Sequence, residues 1–190
     1  MNQKTRTYVF IAMYASLSVL FNFLTQFLPH MVNGGTVDLG VIPIFIASYH
    51  LGWKKGVWTG IFTWLLGLVF GMNRYMVSPL QILFDYVIPI VVPGIASCIP
   101  SIKIKELHIS NIYTGVFVTM FLKYSSHVLA GVYFWFPEGS AAGSIAAWIY
   151  SAWTYNLGYN VLTLLACFII IPILIQSLQR VEQKTFTYVK

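Results

Sequence analysis

Long apolar stretches alternate with short polar gaps along the chain. A helix needs about 20 apolar residues to cross a bilayer, and this length predicts six helices, at 8–27, 39–51, 56–72, 79–99, 112–135 and 145–175. The second stretch is too short to cross at full thickness, and the sixth is long enough to tilt or to extend beyond the bilayer. Because no repeat, linker or second domain interrupts the pattern, we predict an all-α integral membrane protein, with one bundle of six transmembrane helices over residues 1–190.

Composition supports a place in lipid. Apolar residues make up 58% of the chain and charged residues 8%, whereas a soluble domain carries about 25% charged residues. We therefore expect a multi-pass protein of the cell membrane. The net charge of +6 comes from basic residues in short gaps, without aromatic-interleaved basic patches, so no nucleic-acid partner is expected. The stretch after Lys4 and Arg6 lacks a small-residue cleavage site, which favours a first membrane span over a signal peptide.

The basic residues also predict an orientation. If six helices alternate in direction, nine of the eleven basic residues fall on one side: Lys4, Arg6, Lys54, Lys55, Lys103, Lys105, Arg180, Lys184 and Lys190. The positive-inside rule assigns this side to the cytoplasm, so both chain ends are predicted to be cytoplasmic. Arg74 lies in a loop on the other side and Lys123 lies within a helix. The loops at 29–38, 73–78 and 137–143 would then face outwards and roof a site open to the outside.

Two ionisable residues inside predicted membrane helices, Asp85 and Lys123, are the first candidates for a functional site. Charges in the membrane are costly, and they usually mark a binding site or a transport pathway. Gln81 shares a helix face with Asp85, and His127 shares one with Lys123, because each pair is four residues apart. Trp135 continues the helix face of Lys123 and His127. The alternatives are that Asp85 and Lys123 form an ion pair that only fixes packing, and that His127 is a hydrogen-bonded core residue.

Aromatic residues gather where the fifth predicted helix ends and the sixth begins: 134–136, Trp148, Tyr150, Trp153 and Tyr155, followed by Asn156. Any one of them could belong to the aromatic belt at a membrane interface. Taken together with a carboxylate and an amide, these rings suit a flat, cationic, nitrogen-containing ligand, because ring faces attract cations and a carboxylate neutralises their charge.

Motifs for catalysis or energy coupling are missing from the sequence. We find no phosphate-binding loop, nucleophile elbow or zinc-protease motif, so we expect neither an enzyme nor a self-sufficient pump. Cys98 and Cys167 lack a partner at ligand spacing, which predicts two core cysteines and neither a metal site nor a cofactor. Ala12 and Ser16 form a small-residue pair on the first helix, a pattern that lets another helix approach closely.

These residues resemble the thiamine-specific S components of energy-coupling factor (ECF) transporters, the ThiT/YuaJ family. The resemblance covers most of the chain, at residues 34–39, which begin with Gly34, and at 42–44, 81–86, 122–135, 137–139, 150–151 and 155–156. Its most specific part is the string Lys-Tyr-x-x-His-x-x-x-Gly-x-x-x-Trp, which begins at Lys123. Two positions depart from the family pattern. Asp85 stands where we expect Glu, and Tyr150 lies six residues before Asn156 where we expect five.

The resemblance implies a six-helix subunit that binds thiamine from outside. It places ligand contacts on Tyr75, Asp85, Tyr86, Lys123, His127, Trp135, Tyr150 and Asn156. It also implies docking onto a transmembrane T component driven by two ATPases, through the face of Ala12 and Ser16. The alternatives are an S component for another vitamin or for a thiamine precursor, an intramembrane enzyme that uses His127 and Asp85 as acid and base, and a scaffold or channel subunit without a ligand.

Overall fold

The computed structural model describes residues 2–32, 35–73, 75–181 and 188–189. It contains six helices: α1 (Gln3–Thr25), α2 (Val41–Leu51), α3 (Trp53–Val69), α4 (Pro79–Cys98), α5 (Asn111–Phe134), and α6, which joins Ile145–Ile149, Tyr150–Asn156 and Leu157–Val181. The prediction of an all-α, six-helix membrane protein is confirmed. Gly34, Arg74, Lys184 and Lys190, which the sequence arguments used, lie outside the described residues.

Four helices, α1, α4, α5 and α6, are long and apolar enough to cross a membrane. The 17 residues of α3 reach about 25 Å, close to the roughly 30 Å of the hydrocarbon core. The 11 residues of α2 reach only about 16 Å. Every residue from Val41 to His50 in α2 is buried, because this short helix packs among α1, α3, α4 and α6. It is therefore a central helix, and it is too short to cross the bilayer at full thickness, as predicted.

Small residues allow the helices around α2 to approach closely. Gly56 of α3 and Gly94 of α4 lie against each other, and a Cβ atom on either would collide with the backbone of the other. Ser48 of α2 donates a 2.7 Å hydrogen bond to the Gly94 carbonyl oxygen at the same crossing. Such contacts matter in lipid because helix association there depends on close packing rather than on a hydrophobic gain.

A two-stranded antiparallel hairpin, β1 (Ile102–Ile104) and β2 (Leu107–Ile109), connects α4 to α5. The sequence analysis missed it because its six strand residues are too few for a strong alternation signal. The cysteine prediction is half correct. Cys167 is buried, whereas Cys98 is exposed at the end of α4 rather than in the core.

The basic segments of the chain meet at one end of the bundle. Asn111, at the start of α5, donates a 2.8 Å hydrogen bond to the Tyr188 carbonyl oxygen. The Tyr188 ring packs against Gly52, whose φ of 89° allows the tight turn between α2 and α3. The α2–α3 turn with Lys54, the α4–α5 hairpin and the C-terminal residues therefore share one end, and the cavity described next lies towards the other.

Candidate ligand-binding cavity

A cavity of about 640 Å³ opens at the end of the bundle away from the hairpin. This volume lies within the roughly 300–1,000 Å³ of pockets for small molecules. All eight residues predicted to contact a ligand line it: Tyr75, Asp85, Tyr86, Lys123, His127, Trp135, Tyr150 and Asn156. The loops at 29–38 and 73–78 also contribute lining residues. The loop at 137–143, all of which is described, contributes none, so only two of the three predicted loops border the cavity.

Asp85 lies in a π-helical segment of α4, Leu83–Val87, and lines the cavity. Three side chains hold it. Gln81 Nε2 and Trp135 Nε1 each donate a 2.9 Å hydrogen bond to Oδ2, and His127 Nδ1 lies 3.2 Å from Oδ1. The polar faces of α4 and α5 therefore meet, with Asp85 at the centre of the contact.

Lys123 is buried and its ion-pair partner is Asp38, in the loop before α2. Its Nζ donates a 2.8 Å hydrogen bond to Asp38 Oδ2 and lies 3.4 Å from His127 Nε2. The proposed pairing of Lys123 with Asp85 is therefore wrong, because the His127 ring stands between the two side chains. His127 lies between two charged groups at the cavity wall, in hydrogen-bond contact with Lys123 and Asp85.

The hydrogen-bond chemistry fixes the state of His127 in this arrangement. An ammonium group can only donate and a carboxylate can only accept. Nε2, next to Lys123, must therefore accept, and Nδ1, next to Asp85, must carry the proton. The imidazole is therefore neutral. The hydrogen-bonded groups follow in the order Asp38 carboxylate, Lys123 ammonium, His127 imidazole and Asp85 carboxylate.

Tyr150 and Asn156 are the first and last residues of a π-helical segment of α6, and both line the cavity. Their spacing of six residues, where we expect five, therefore falls within a wider helical turn. Asn156 Nδ2 donates to the carbonyl and hydroxyl oxygens of Ser151 at 2.9 and 3.0 Å. Its Oδ1 accepts a 2.6 Å hydrogen bond from the Tyr159 hydroxyl. These contacts fix the orientation of the Asn156 amide.

Gly131 allows α5 and α6 to meet beside the π-helical segment. A Cβ atom at this position would collide with the Ser151 hydroxyl oxygen. Ser151 in turn donates a 2.9 Å hydrogen bond to the Val128 carbonyl oxygen, which ties the two helices together. The wall that carries Asn156 is therefore positioned through a glycine contact.

Aromatic rings line the mouth of the cavity. The rings of Tyr75 and Trp135 meet there edge to face, with their centroids 6.5 Å apart. The Tyr86 hydroxyl donates a 3.0 Å hydrogen bond to the Tyr75 carbonyl oxygen, which holds this loop residue in place. Trp148 and Trp153 behave differently, since both are exposed and neither lines the cavity. For these two residues the interfacial-belt interpretation fits the structure.

Several lining residues were not singled out from the sequence, above all Asp38 and Tyr159. A signal for Asp38 existed. A buried Lys123 needs a carboxylate, and Asp38 precedes an apolar stretch directly. The wall formed by α1 and α3 was also missed. Its residues are uncharged and hydrophilic or small: Asn22, Thr25, Gln26, Thr63 and Gly67.

Ala12 and Ser16 are exposed on α1 and do not line the cavity. The opposite face of α1 carries the buried residues, among them Tyr14 and Ser18. The small-residue pair is therefore available for contact with another helix. Among the residues that the structure describes, no group of three or more His, Cys, Asp or Glu side chains is placed to hold a metal ion.

The chain is similar to known proteins over nearly its whole length. The profile of a family described as thiamine transporter protein (Thia_YuaJ) matches residues 8–183. The thiamine transporter ThiT of Bacillus subtilis (strain 168) is 31% identical over 180 residues, which are 90% of each chain. The thiamine transporter ThiT of Lacticaseibacillus paracasei is 28% identical over 145 residues, 70% of this chain and 69% of that one.

A solved structure has a similar architecture. ThiT from Listeria monocytogenes superposes with a TM-score of 0.63, over 97% of this chain and 99% of that chain. Because the two sequences are only 17% identical, this likeness bears on the fold alone. It agrees with a six-helix integral membrane protein.

Proposed function

The chain belongs to the Thia_YuaJ family of thiamine transporter proteins, and on that premise we propose that it is the thiamine-binding S component of an ECF vitamin transporter. It is a transport protein rather than an enzyme, and a multi-pass protein of the cell membrane. The observation that carries the proposal is the cavity. Eight residues chosen from sequence line one space, around a carboxylate held by neutral donors on three sides.

The chemistry of thiamine matches the chemistry of this wall. Its thiazolium ring carries a positive charge, which the Asp85 carboxylate neutralises and the Trp135 and tyrosine ring faces attract. Its aminopyrimidine ring has hydrogen-bond donors and acceptors, for which Asp85, Tyr86 and Asn156 offer partners. Lys123 and His127 complete the polar edge of the site.

Energy for uptake must come from partner subunits under this proposal, because the sequence has no phosphate-binding loop. We assign the contact with the T component to the exposed face of α1 that carries Ala12 and Ser16. Two ATPase subunits would drive that component. Both chain ends would then be cytoplasmic, and the cavity, at the end opposite the basic segments, would open to the outside.

Titration of the purified chain tests the proposal. Calorimetry against thiamine, its pyrimidine half and its thiazole half should give the tightest binding for whole thiamine, because only the whole molecule carries both the charged ring and the hydrogen-bonding ring. Mass spectrometry of ligand carried through purification provides an independent check. Tighter binding of one half would favour a precursor transporter, and binding of a different vitamin in place of thiamine would contradict the ligand assignment.

A further inference from the structure

The charges along the cavity wall do not cancel. Among the lining residues that the structure describes, those with a full charge are Asp38, Asp85 and Lys123, and His127 is neutral by its hydrogen-bond partners. Two negative charges and one positive charge leave a sum of −1. Since Lys123 is paired with Asp38 at 2.8 Å, the uncompensated charge belongs to Asp85.

Asp38 is held in a way that keeps this pairing in place. Its Oδ1 accepts a 3.0 Å hydrogen bond from the Gly40 backbone N–H, and its own N–H donates to Thr163 Oγ1 at 3.0 Å. The carboxylate is therefore tied to the start of α2 and to α6 while Oδ2 points to Lys123 on α5. Such multiple support is typical of a positioned group rather than of a solvated loop residue.

The geometry points to Asp38 as the residue that sets the ligand class of this cavity. By occupying Lys123, it leaves Asp85 as the unbalanced charge among the lining residues that the structure describes, so the site selects ligands that carry a single positive charge near Asp85. This inference rests on the proposed function and deepens it, because it explains how a cavity that contains a lysine can favour a cation. An uncharged ligand of the same shape would leave Asp85 buried without a counter-charge, which is unfavourable.

Charge-changing variants of the full chain test this inference. The ligands are thiamine and an uncharged analogue in which a thiophene replaces the thiazolium, and the readout is the ratio of their dissociation constants. The wild-type protein should prefer the cation by roughly 10- to 100-fold. Asp38→Asn brings the charge sum to zero, so this preference should fall towards one.

Two further variants give results that a purely structural role of Asp38 would not produce. Lys123→Gln brings the charge sum to −2 and should raise the preference for the cation above that of the wild type. The double variant Asp38→Asn/Lys123→Gln restores a sum of −1 and should restore the preference, even if both ligands bind more weakly. Glu106→Gln, the same loss of an acid at an exposed position of the hairpin, is the matched control and should leave the ratio unchanged.

The inference would be supported if the preference for the cation falls in Asp38→Asn, rises in Lys123→Gln and returns to the wild-type value in the double variant. Equal losses of affinity for both ligands, with an unchanged ratio, would overturn it and reduce Asp38 to a structural anchor. If the wild-type protein binds thiamine and its uncharged analogue equally well, so that the ratio of their dissociation constants is near one, this inference alone is overturned. A wild-type protein that binds neither ligand would overturn the proposed function together with it.

Discussion

The Trp135 indole N–H donates a 2.9 Å hydrogen bond to Asp85 Oδ2, which joins the end of α5 to the π-helical segment of α4. The group that supplies the negative charge of the cavity therefore also orients the aromatic ring at its mouth. Electrostatic attraction and ring stacking are consequently coupled in this site. Substitution of either residue should affect both contributions.

Asp85→Asn should weaken thiamine binding by roughly 2 to 5 kcal/mol while the protein stays folded, because the cation loses its counter-charge. Calorimetry gives the affinity and thermal unfolding gives the stability. Glu106→Gln is the control, since it removes an exposed carboxylate and should change neither quantity. A lower unfolding temperature with nearly unchanged affinity would instead mean that Asp85 serves packing.

Trp135→Ala should cost more affinity than Trp135→Phe, because phenylalanine keeps part of the ring face and alanine keeps none. Both variants lose the N–H donor to Asp85, so their difference isolates the ring. Ligand addition should also quench tryptophan fluorescence in the wild-type protein. Equal losses in the two variants, without quenching, would remove Trp135 from the site.

Gly131→Ala should lower the free energy of unfolding by roughly 1 to 3 kcal/mol, because its new methyl group would collide with Ser151. It should also weaken ligand binding, since Ser151 orients Asn156. Gly158→Ala is a matched control on the next turn of α6, where a Cβ atom meets no neighbour within 4 Å. If both variants are equally stable and bind equally well, the α5–α6 contact does not support the site.

Replacing Ala12 or Ser16 with Trp should block uptake by the whole transporter while the isolated subunit still binds thiamine. A bulky ring on this exposed face of α1 would hold a partner helix away, and helix contact in lipid depends on close packing. Radiolabelled uptake in cells is compared with titration of the purified subunit. Ile169→Trp, on an exposed position of α6, should leave both measurements unchanged.

The outcome for the first-helix variants separates two explanations. Loss of binding as well as uptake would mean that the face of Ala12 and Ser16 belongs to the fold of this chain. Unchanged uptake would mean that the docking surface lies elsewhere.

The helices were predictable because membrane spans are set by hydropathy and length. Helix α4 begins at Pro79 as predicted, and α1 begins at Gln3, five residues before the predicted 8–27. Lys4 and Arg6 explain that difference, since a hydropathy window excludes charged residues even when they continue a helix into the interface. The hairpin between α4 and α5 carried too few residues to register as two strands.

The candidate site was predictable as a set of residues but not as a network. Intramembrane charge drew attention to Asp85 and Lys123, and helical spacing placed Gln81 and His127 beside them. The partner of Lys123 could not be derived from spacing, because Asp38 lies 85 residues away and reaches Lys123 only through the tertiary fold. The π-helical turns were equally out of reach, since they depend on packing between helices rather than on local residue preference.

The wide turn in α6 has a consequence for how the cavity could be altered. A regular α-helix advances each residue by about 100° around its axis, so deletion of one residue within Tyr150–Asn156 would let that turn relax to regular geometry. Such a relaxation would absorb the deletion and leave Tyr150 in the cavity wall, because a π turn holds about one residue more than an α turn. In a regular helix the same deletion would rotate the preceding residues by about 100°, so this segment gives α6 a place where its length can change while the lining of the cavity is kept.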